Sequence, residues 1–90
     1  MADSKEYFVF KIVNSINNKI FIGIHYGFID DDNLQSNELL NEEKLKYSQN
    51  AFAKSIVEVC DTRDKAEERK KYWIENLNTL FPDGYNFERW

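Results

Sequence analysis

Residues 7–25 read YFVFKIVNSINNKIFIGIH, and they carry the strongest secondary-structure pattern of the chain. Both of its flanks are rich in aromatic and β-branched residues, which favour the pleated, half-buried surface of a strand. Between the flanks lies Asn17-Asn18, a pair that tolerates positive φ and suits a tight hairpin turn. We therefore predict two antiparallel strands. Gly23 is expected to mark a close approach of backbone near the end of the second strand.

A loop and a first helix are predicted after the hairpin. The strand periodicity breaks after Tyr26, and turn-forming residues follow. Ser36 is suited to N-capping, and Leu39, Leu40 and Tyr47 then fall near helical spacing. The pattern predicts a helix over residues 37–47.

A third strand is predicted over residues 51–60, where two sets of residues alternate. Val57 and Val59 belong to one set, whereas Lys54 and Glu58 belong to the other. Successive side chains of a strand point to opposite faces of the sheet. We therefore expect Val57 and Val59 to be buried and the two charged residues to face water.

A second, longer helix is predicted over residues 64–78, with Asp61 or Thr62 as its cap. Residues 82–84 read Pro-Asp-Gly, which is turn chemistry. The tail over residues 85–90 is expected to pack on the domain or to add an edge strand. The resulting order is β-β-α-β-α-tail, an α+β fold with helices flanking a small three-stranded antiparallel sheet.

The length of 90 residues predicts a single domain, 1–90, in which residues 1–6 are frayed. A chain this short buries only about 60–65% of its unfolded surface, so its core must draw on the many aromatic residues. No apolar run approaches the ~20 residues that span a bilayer, so a soluble, cytoplasmic protein without membrane contact is expected. The single cysteine, Cys60, lies in an apolar stretch and is predicted to be a small core residue rather than a nucleophile.

Two short motifs of the predicted hairpin form a pair: Phe8-Val9-Phe10 and, after ten further residues, Phe21-Ile22-Gly23. They are similar to the paired signature of the GIY-YIG nuclease domain family. The likeness continues through Val13-Asn14, Asn18-Lys19, Tyr72-Trp73-Ile74 and Gly84-Tyr85-Asn86. It spans nearly the whole chain. The resemblance implies the GIY-YIG fold, whose active members hydrolyse DNA phosphodiester bonds with the help of a divalent metal ion.

The resemblance also places the polar groups of the family active site on residues of different chemistry. The two signature tyrosines fall on Phe10 and Phe21, which lack the hydroxyl. The phosphate-binding arginine has no counterpart within residues 24–44, and the metal-binding glutamate falls on Lys70. Only the family asparagine is retained, as Asn86. On this interpretation the chain has no catalytic residue, no metal site and no cofactor.

Other residues can be weighed as replacements. Lys70 lies near the middle of the apolar stripe of the second predicted helix. It either extends its ammonium group outward or borders a former active-site hollow. Glu67, about 60° away on the helix, is the neighbour placed to replace the lost ligand. His25 is either structural or a residual proton-transfer group. Tyr7 and Tyr26 are out of register, because a one-residue shift turns a strand side chain to the other face.

The formal net charge is −4, and its negative excess lies in residues 28–43, outside which the net charge is +2. A nucleic-acid-binding domain usually shows the reverse, a basic patch. The block is either a solvated loop and helix face or a partner-binding surface that imitates DNA phosphates. Its acidic residues are Asp30, Asp31, Asp32, Glu38, Glu42 and Glu43.

The first functional hypothesis is therefore a non-catalytic GIY-YIG-fold protein that acts by protein binding. It would be an acidic, phage-type inhibitor or DNA mimic directed at a host DNA-binding or DNA-cleaving enzyme, without strong nucleic-acid binding. A homodimer would lengthen the acidic surface, with Tyr85, Phe87 and Trp90 of the tail as candidate contacts.

Two alternatives stay open. One is a divergent metal-dependent GIY-YIG endonuclease, or a DNA-binding remnant of one. It needs a basic face, and the candidates alternate with acidic residues: they are Lys54, Arg63, Lys65, Arg69 and Lys71. The other is a regulatory or structural partner protein with no link to nucleic acid.

Overall fold

The computed structural model describes residues 5–28, 38–47 and 49–87 of the chain. Ser36, proposed above as an N-cap, lies outside these residues. Among the described helices, none combines the length and apolar character needed to cross a membrane. The regular elements are β1 (Glu6–Asn14), β2 (Ile20–Gly27), α1 (Glu38–Lys46), a short 3-10 turn (Gln49–Ala51), β3 (Phe52–Cys60) and α2 (Arg63–Leu77).

The three strands form one antiparallel sheet in the order β2-β1-β3. The strand β1 lies between the other two and carries apolar residues on both faces, which are mostly buried. The predicted α+β class, the three-stranded antiparallel sheet and the element order are confirmed. The single-domain boundaries remain a prediction.

The hairpin turn lies where the sequence predicts it, but it is longer than a tight two-residue turn. Asn18 has a φ of 65°, the left-handed conformation that asparagine tolerates. Its backbone N–H donates to the carbonyl of Asn14 at 2.7 Å. The Asn14 side chain also accepts from the backbone N–H of Ile16 at 3.0 Å. These local bonds stabilise a five-residue loop, 15–19, between the strands.

The sheet carries a hydrophobic cluster on each face, because neighbouring residues of β1 point to opposite sides. One cluster, the α2 core, contains Val9, Ile22, Cys60, Ala66 and Ile74. The other, the Tyr85 core, contains Phe10, Ile12, Phe21, Leu40 and Tyr85. Cys60 is buried as predicted, and burial raises the pKa of its thiol. Both layers of the domain therefore depend on β1.

A β-bulge interrupts the pairing of β3 with β1. Val9 lies opposite Glu58, and Phe10 lies opposite Ile56. Val57 is therefore an extra residue in β3. A bulge of this kind places two residues against one and resets the alternation of side chains beyond it.

The bulge makes part of the predicted β3 alternation wrong. Val57 packs against the α2 core as expected. Glu58, predicted to face water, instead turns toward α2, and Val59, predicted to be buried, is 48% exposed. The alternating pattern gave no sign of the extra residue, so the expected faces are reversed after Val57.

The second helix begins and ends close to the predicted positions. Thr62 is its N-cap, since its hydroxyl accepts from the backbone N–H of Lys65 at 3.1 Å. Asn78 ends the helix in the left-handed conformation, with a φ of 56°. Its backbone N–H donates to the carbonyl of Ile74. The helix, Arg63–Leu77, thus covers one face of the sheet.

The segment after α2 is folded onto the domain. The backbone N–H of Tyr85 donates to the carbonyl of Ile20 at 2.9 Å, and that of Asn86 donates to the carbonyl of Thr79 at 2.9 Å. Gly84 permits this arrangement, because a Cβ at that position would lie 2.4 Å from the Thr79 carbonyl oxygen.

We predict that Gly84→Ala lowers the free energy of unfolding by about 2 kcal/mol, because the added methyl group overlaps backbone that cannot move independently. Urea denaturation monitored by circular dichroism measures the change. Lys71→Ala on the exposed side of α2 is the control and is expected to change stability by less than about 0.5 kcal/mol. Equal stability of the two variants would contradict the prediction.

Candidate functional site

The residues at the two family tyrosine positions lie together in the Tyr85 core. The ring centroids of Phe10 and Phe21 are 6.1 Å apart, and both side chains are buried. A Cβ at Gly23 would lie 2.5 Å from Cζ of Phe10, so the phenyl ring covers that glycine. The structure therefore brings these two positions together, and they form apolar packing.

Asn86, at the retained family position, joins the tail to β2. Its Oδ1 accepts from the backbone N–H of Ile22 at 2.8 Å and from the hydroxyl of Thr79 at 2.8 Å. Its Nδ2 donates to the carbonyl of Ile22 at 2.9 Å. All three groups are buried. The Asn86 side chain is thus a structural bridge in this chain.

Lys70 does not lie beside the two phenylalanines. It is half-buried on α2, whose residues Ala66 and Ile74 belong to the α2 core on the other face of the sheet. Glu67, the neighbour considered above as a replacement for the lost metal ligand, accepts a hydrogen bond from Nε of Arg63 at 2.9 Å and is exposed. Neither Lys70 nor Glu67 belongs to the Tyr85 core in the described part of the chain.

The two out-of-register tyrosines also belong to the α2 side of the sheet. Tyr7 packs against the α2 core and pairs with Tyr26 across the strands. Their ring centroids are 4.5 Å apart. Neither hydroxyl can replace the ones missing at Phe10 and Phe21, because those side chains lie on the opposite face.

A polar cluster surrounds the hydroxyl of Tyr85 and was not foreseen from the sequence. The hydroxyl accepts from Nδ2 of Asn14 at 3.1 Å and from Nδ2 of Asn17 at 3.4 Å. It donates to Oε1 of Glu43 at 3.2 Å. Glu43 is 13% exposed, and its other oxygen lies 3.5 Å from the ammonium group of Lys46. Burial raises the pKa of Tyr85, which keeps the phenol protonated at neutral pH.

A second polar cluster joins β3 to α2. Nε of Arg69 lies 2.8 Å from each carboxylate oxygen of Glu58, and Nε1 of Trp73 donates to Oε1 of Glu58 at 2.8 Å. The guanidinium carbon of Arg69 lies 4.3 Å from the ring centroid of Tyr72. The hydrogen bonds from Arg69 and Trp73 lower the pKa of Glu58. Sequence reasoning missed this cluster because the bulge was not visible.

Only part of the predicted acidic surface lies within the described residues. The run Asp30, Asp31 and Asp32 lies outside the described residues, and Glu38 lies in α1 with its side chain undescribed. Glu42 is exposed, whereas Glu43 turns inward to Tyr85. Residues adjacent on a helix point about 100° apart, so these two carboxylates do not form one row. The partner-binding role of the set remains a prediction.

The predicted aromatic dimer contact needs one correction. Tyr85 is 1% exposed and belongs to the core, because the turn at Gly84 directs it inward. Phe87 is exposed, with its ring centroid 6.1 Å from that of Phe81. Trp90 lies outside the described residues. Dimerisation remains a prediction, and Tyr85 is no longer one of its candidate contacts.

Clusters of metal-ligating side chains are absent from the part of the chain that the structure describes. In it, no three His, Cys, Asp or Glu side chains come close enough together to hold an ion. The lone histidine, His25, is half-buried and makes contacts of its own. The metal-binding glutamate of the family falls on Lys70, and a protonated amine cannot serve as an oxygen ligand for a divalent ion. The described residues therefore do not fit the metal centre that the family resemblance implies.

Comparison with solved structures decides the fold family. The chain superposes on the catalytic domain of the homing endonuclease I-TevI with a TM-score of 0.73 and 27% identity, over 91% of this chain and 98% of that one. A single-substitution variant of the same domain gives a TM-score of 0.73 and 25% identity, over 94% and 96%. The chain is a GIY-YIG-fold domain.

One curated relative supports the same assignment. The GIY-YIG-fold chain is 36% identical over 83 residues to an Enterobacteria phage T4 protein named "Putative endonuclease segB". The match covers 91% of this chain but only 38% of that protein, so the chain spans less than half of the relative's length. No model of a known protein family matches the chain.

The GIY-YIG assignment was predicted from the short motifs and is confirmed. The first functional hypothesis, a non-catalytic inhibitor or DNA mimic, is contradicted because the relative and the superposed domains are all named as endonucleases. The expectation that the chain is not an enzyme is wrong for the same reason. The non-enzyme expectation rested on five positions of the family site, and the inhibitor hypothesis rested also on the acidic block at residues 28–43. Neither took account of polar groups elsewhere in the fold, such as the Tyr85 cluster.

We predict that the stability contributed by Glu58 is lost in acid. Its pKa is lowered in the folded state, so this contribution is present above the ordinary glutamate pKa and disappears as the pH falls through the lower, folded value. Glu58→Gln should cost about 1 kcal/mol at pH 7, allowing for partial exposure. The difference from the unmodified protein should shrink between about pH 5 and pH 3.

Urea denaturation across this pH range measures the effect, and Glu68→Gln is the matched control. Glu68 is more exposed and pairs with Lys65 at 3.7 Å. Its replacement is expected to have little effect at any pH. A Glu58→Gln penalty that is constant from pH 7 to pH 3 would contradict the assigned role of ionised Glu58.

We also predict that Tyr85→Phe lowers the free energy of unfolding by about 1–2 kcal/mol, because the buried amide of Asn14 loses its acceptor. Thermal and urea denaturation measure the change. Tyr47→Phe is the control, since Tyr47 is half-buried and packs its ring on Phe52. If both variants were equally stable, the hydroxyl of Tyr85 would have no part in holding the cluster.

Proposed function

We propose that the domain is the nuclease module of a divergent endonuclease and acts on phosphodiester bonds of DNA. The observation that carries the proposal is the superposition on an endonuclease catalytic domain over 94% of this chain. The identity of 36% to an endonuclease-named phage protein supports it. Fold alone does not determine chemistry, so the proposal also needs candidate groups on this chain.

The Tyr85 cluster contains the groups best suited to the chemistry. Hydrolysis of a phosphodiester needs a proton acceptor and a cation near the phosphate. Glu43 offers a carboxylate that is partly shielded from water, and Lys46 provides a positive charge 3.5 Å from it. The hydroxyl of Tyr85 fixes the orientation of that carboxylate. We assign Glu43 as the proton acceptor and Tyr85 as its positioning residue.

A metal ion has no part in this assignment. The fold family implies a divalent ion, but the described residues hold no cluster of three ligating side chains. An ammonium group at Lys70, where the family has its carboxylate, would repel a cation placed beside it. Glu43 and Lys46 are therefore assigned without an ion, and cleavage in the presence of a chelator tests this directly.

A second candidate function is a DNA-binding module within a larger endonuclease. The misfit of the described residues to a metal centre favours it. On this hypothesis the domain would bind DNA and would not itself carry the cleavage chemistry.

We predict that the purified chain nicks supercoiled plasmid DNA and that Glu43→Gln lowers the rate about 100-fold, because general-base catalysis contributes on that order. The glutamine side-chain oxygen can still accept from Tyr85, so the fold is expected to be retained. The measurement is a gel assay with Mg²⁺, with Mn²⁺ and with a chelator in separate arms.

Glu42→Gln is the matched control, since Glu42 is the exposed neighbour on the same helix. It should cleave within about two-fold of the unmodified chain, as an exposed residue away from the reacting groups. Equal rates for both variants would overturn the role of Glu43 and point to a contaminating nuclease. Binding of duplex DNA without cleavage in any arm would support the second candidate function.

A further inference from the structure

We infer that Arg69 is a preorganised contact for a phosphate group of nucleic acid, located where α2 meets the edge strand β3. The inference rests on the proposed function, because it names the surface through which the domain would hold its substrate. It concerns a different part of the molecule from the Tyr85 cluster.

Two groups hold the Arg69 side chain in place. Nε of Arg69 lies 2.8 Å from both carboxylate oxygens of Glu58, and the guanidinium carbon lies 4.3 Å from the ring centroid of Tyr72. Nε1 of Trp73 donates to Glu58 at 2.8 Å and so holds the carboxylate that pairs with Arg69. An arginine restrained in this way loses little conformational freedom when it binds a ligand.

The restraint uses only one of the guanidinium nitrogens. Within the described residues, the hydrogen bonds of Arg69 all come from Nε. The two terminal amino groups therefore keep four N–H donors for an outside acceptor. The side chain is 29% exposed, so part of it faces solvent. A planar pair of donors matches the oxygens of a phosphate, and such contacts are typically bidentate.

The charges around Arg69 favour one directed contact over general attraction. Glu58 offsets the charge of Arg69, and Lys65 is paired with Glu68 at 3.7 Å. The neighbourhood is close to neutral, unlike the basic patch of a strong DNA-binding protein. Recognition here depends on hydrogen-bond geometry, so the contact should involve about one phosphate and bind weakly.

Arg63 provides a natural comparison on the same helix. It also donates through Nε to a carboxylate, that of Glu67 at 2.9 Å. Its partner, however, lies one turn away on α2 and is half-exposed, and the Arg63 side chain is 75% exposed. Neither of the cation–π contacts found among the described residues involves Arg63. Arg63 therefore carries the same charge without the same restraint.

The test measures the affinity of the full chain for a fluorescent 25-base-pair duplex by anisotropy, at several salt concentrations and with a chelator present. We expect Arg69→Ala to weaken binding about five- to ten-fold and to lower the slope of log Kd against log salt by about one. Arg69→Lys should keep the slope but lose about three-fold in affinity, because it keeps the charge without the planar fork.

Arg63→Ala is the control and should change the affinity by less than about two-fold. Circular dichroism confirms that each variant is folded. Loss of stability in Arg69→Ala without loss of affinity would overturn the inference, since Arg69 would then serve only to pair Glu58. Equal losses in Arg63→Ala and Arg69→Ala would overturn it as well, and so would an unmodified chain that does not bind the duplex.

The result is separable from the proposed function. Plasmid nicking by the unmodified chain together with normal DNA binding by Arg69→Ala would leave the nuclease proposal standing and remove this contact. Weakened binding by Arg69→Ala in a chain that does not nick DNA would support the contact and remove the cleavage proposal.

Discussion

One buried amide, that of Asn86, joins the segment after α2 to strand β2. It bonds both backbone groups of Ile22, which lies on the edge strand β2. Leaving either backbone group unpaired in the interior would cost about 1–3 kcal/mol. The hydroxyl of Thr79, just after α2, donates a further hydrogen bond to the oxygen of the same amide. Because Tyr85 immediately precedes this bridge, its ring enters the core and its hydroxyl reaches Asn14 on the neighbouring strand.

The central strand separates two sets of functional groups. On one face, Phe10 packs with Phe21 and Tyr85 in a core that is closed by Leu40 of α1. On the other face, α2 brings Arg69 to Glu58 at the edge of β3. Because these neighbourhoods lie on opposite sides of one sheet, changes in one are expected to leave the other intact.

Local patterns revealed most of the fold, whereas contacts between distant residues stayed hidden. The hairpin followed from β-branched and aromatic flanks around Asn18, and the helix cap from Thr62, since both depend on neighbours in sequence. The bulge at Val57 depends on pairing with another strand, and alternation cannot show an extra residue. Tyr85 was predicted to be an exposed contact, because its burial requires a hydrogen bond to Ile20, sixty-five positions earlier.

The replacement of two family tyrosines by Phe10 and Phe21 did not make this core free of hydroxyl chemistry. Tyr85 enters the same cluster from the tail, and its hydroxyl lies within hydrogen-bonding distance of Glu43. A buried phenol needs partners, and here two amides and a carboxylate supply them. A comparison of single aligned positions cannot see such a group, because it comes from another part of the chain. The chemistry of a member of a fold family is therefore better judged from the polar atoms that packing brings together than from the motif residues that its sequence retains.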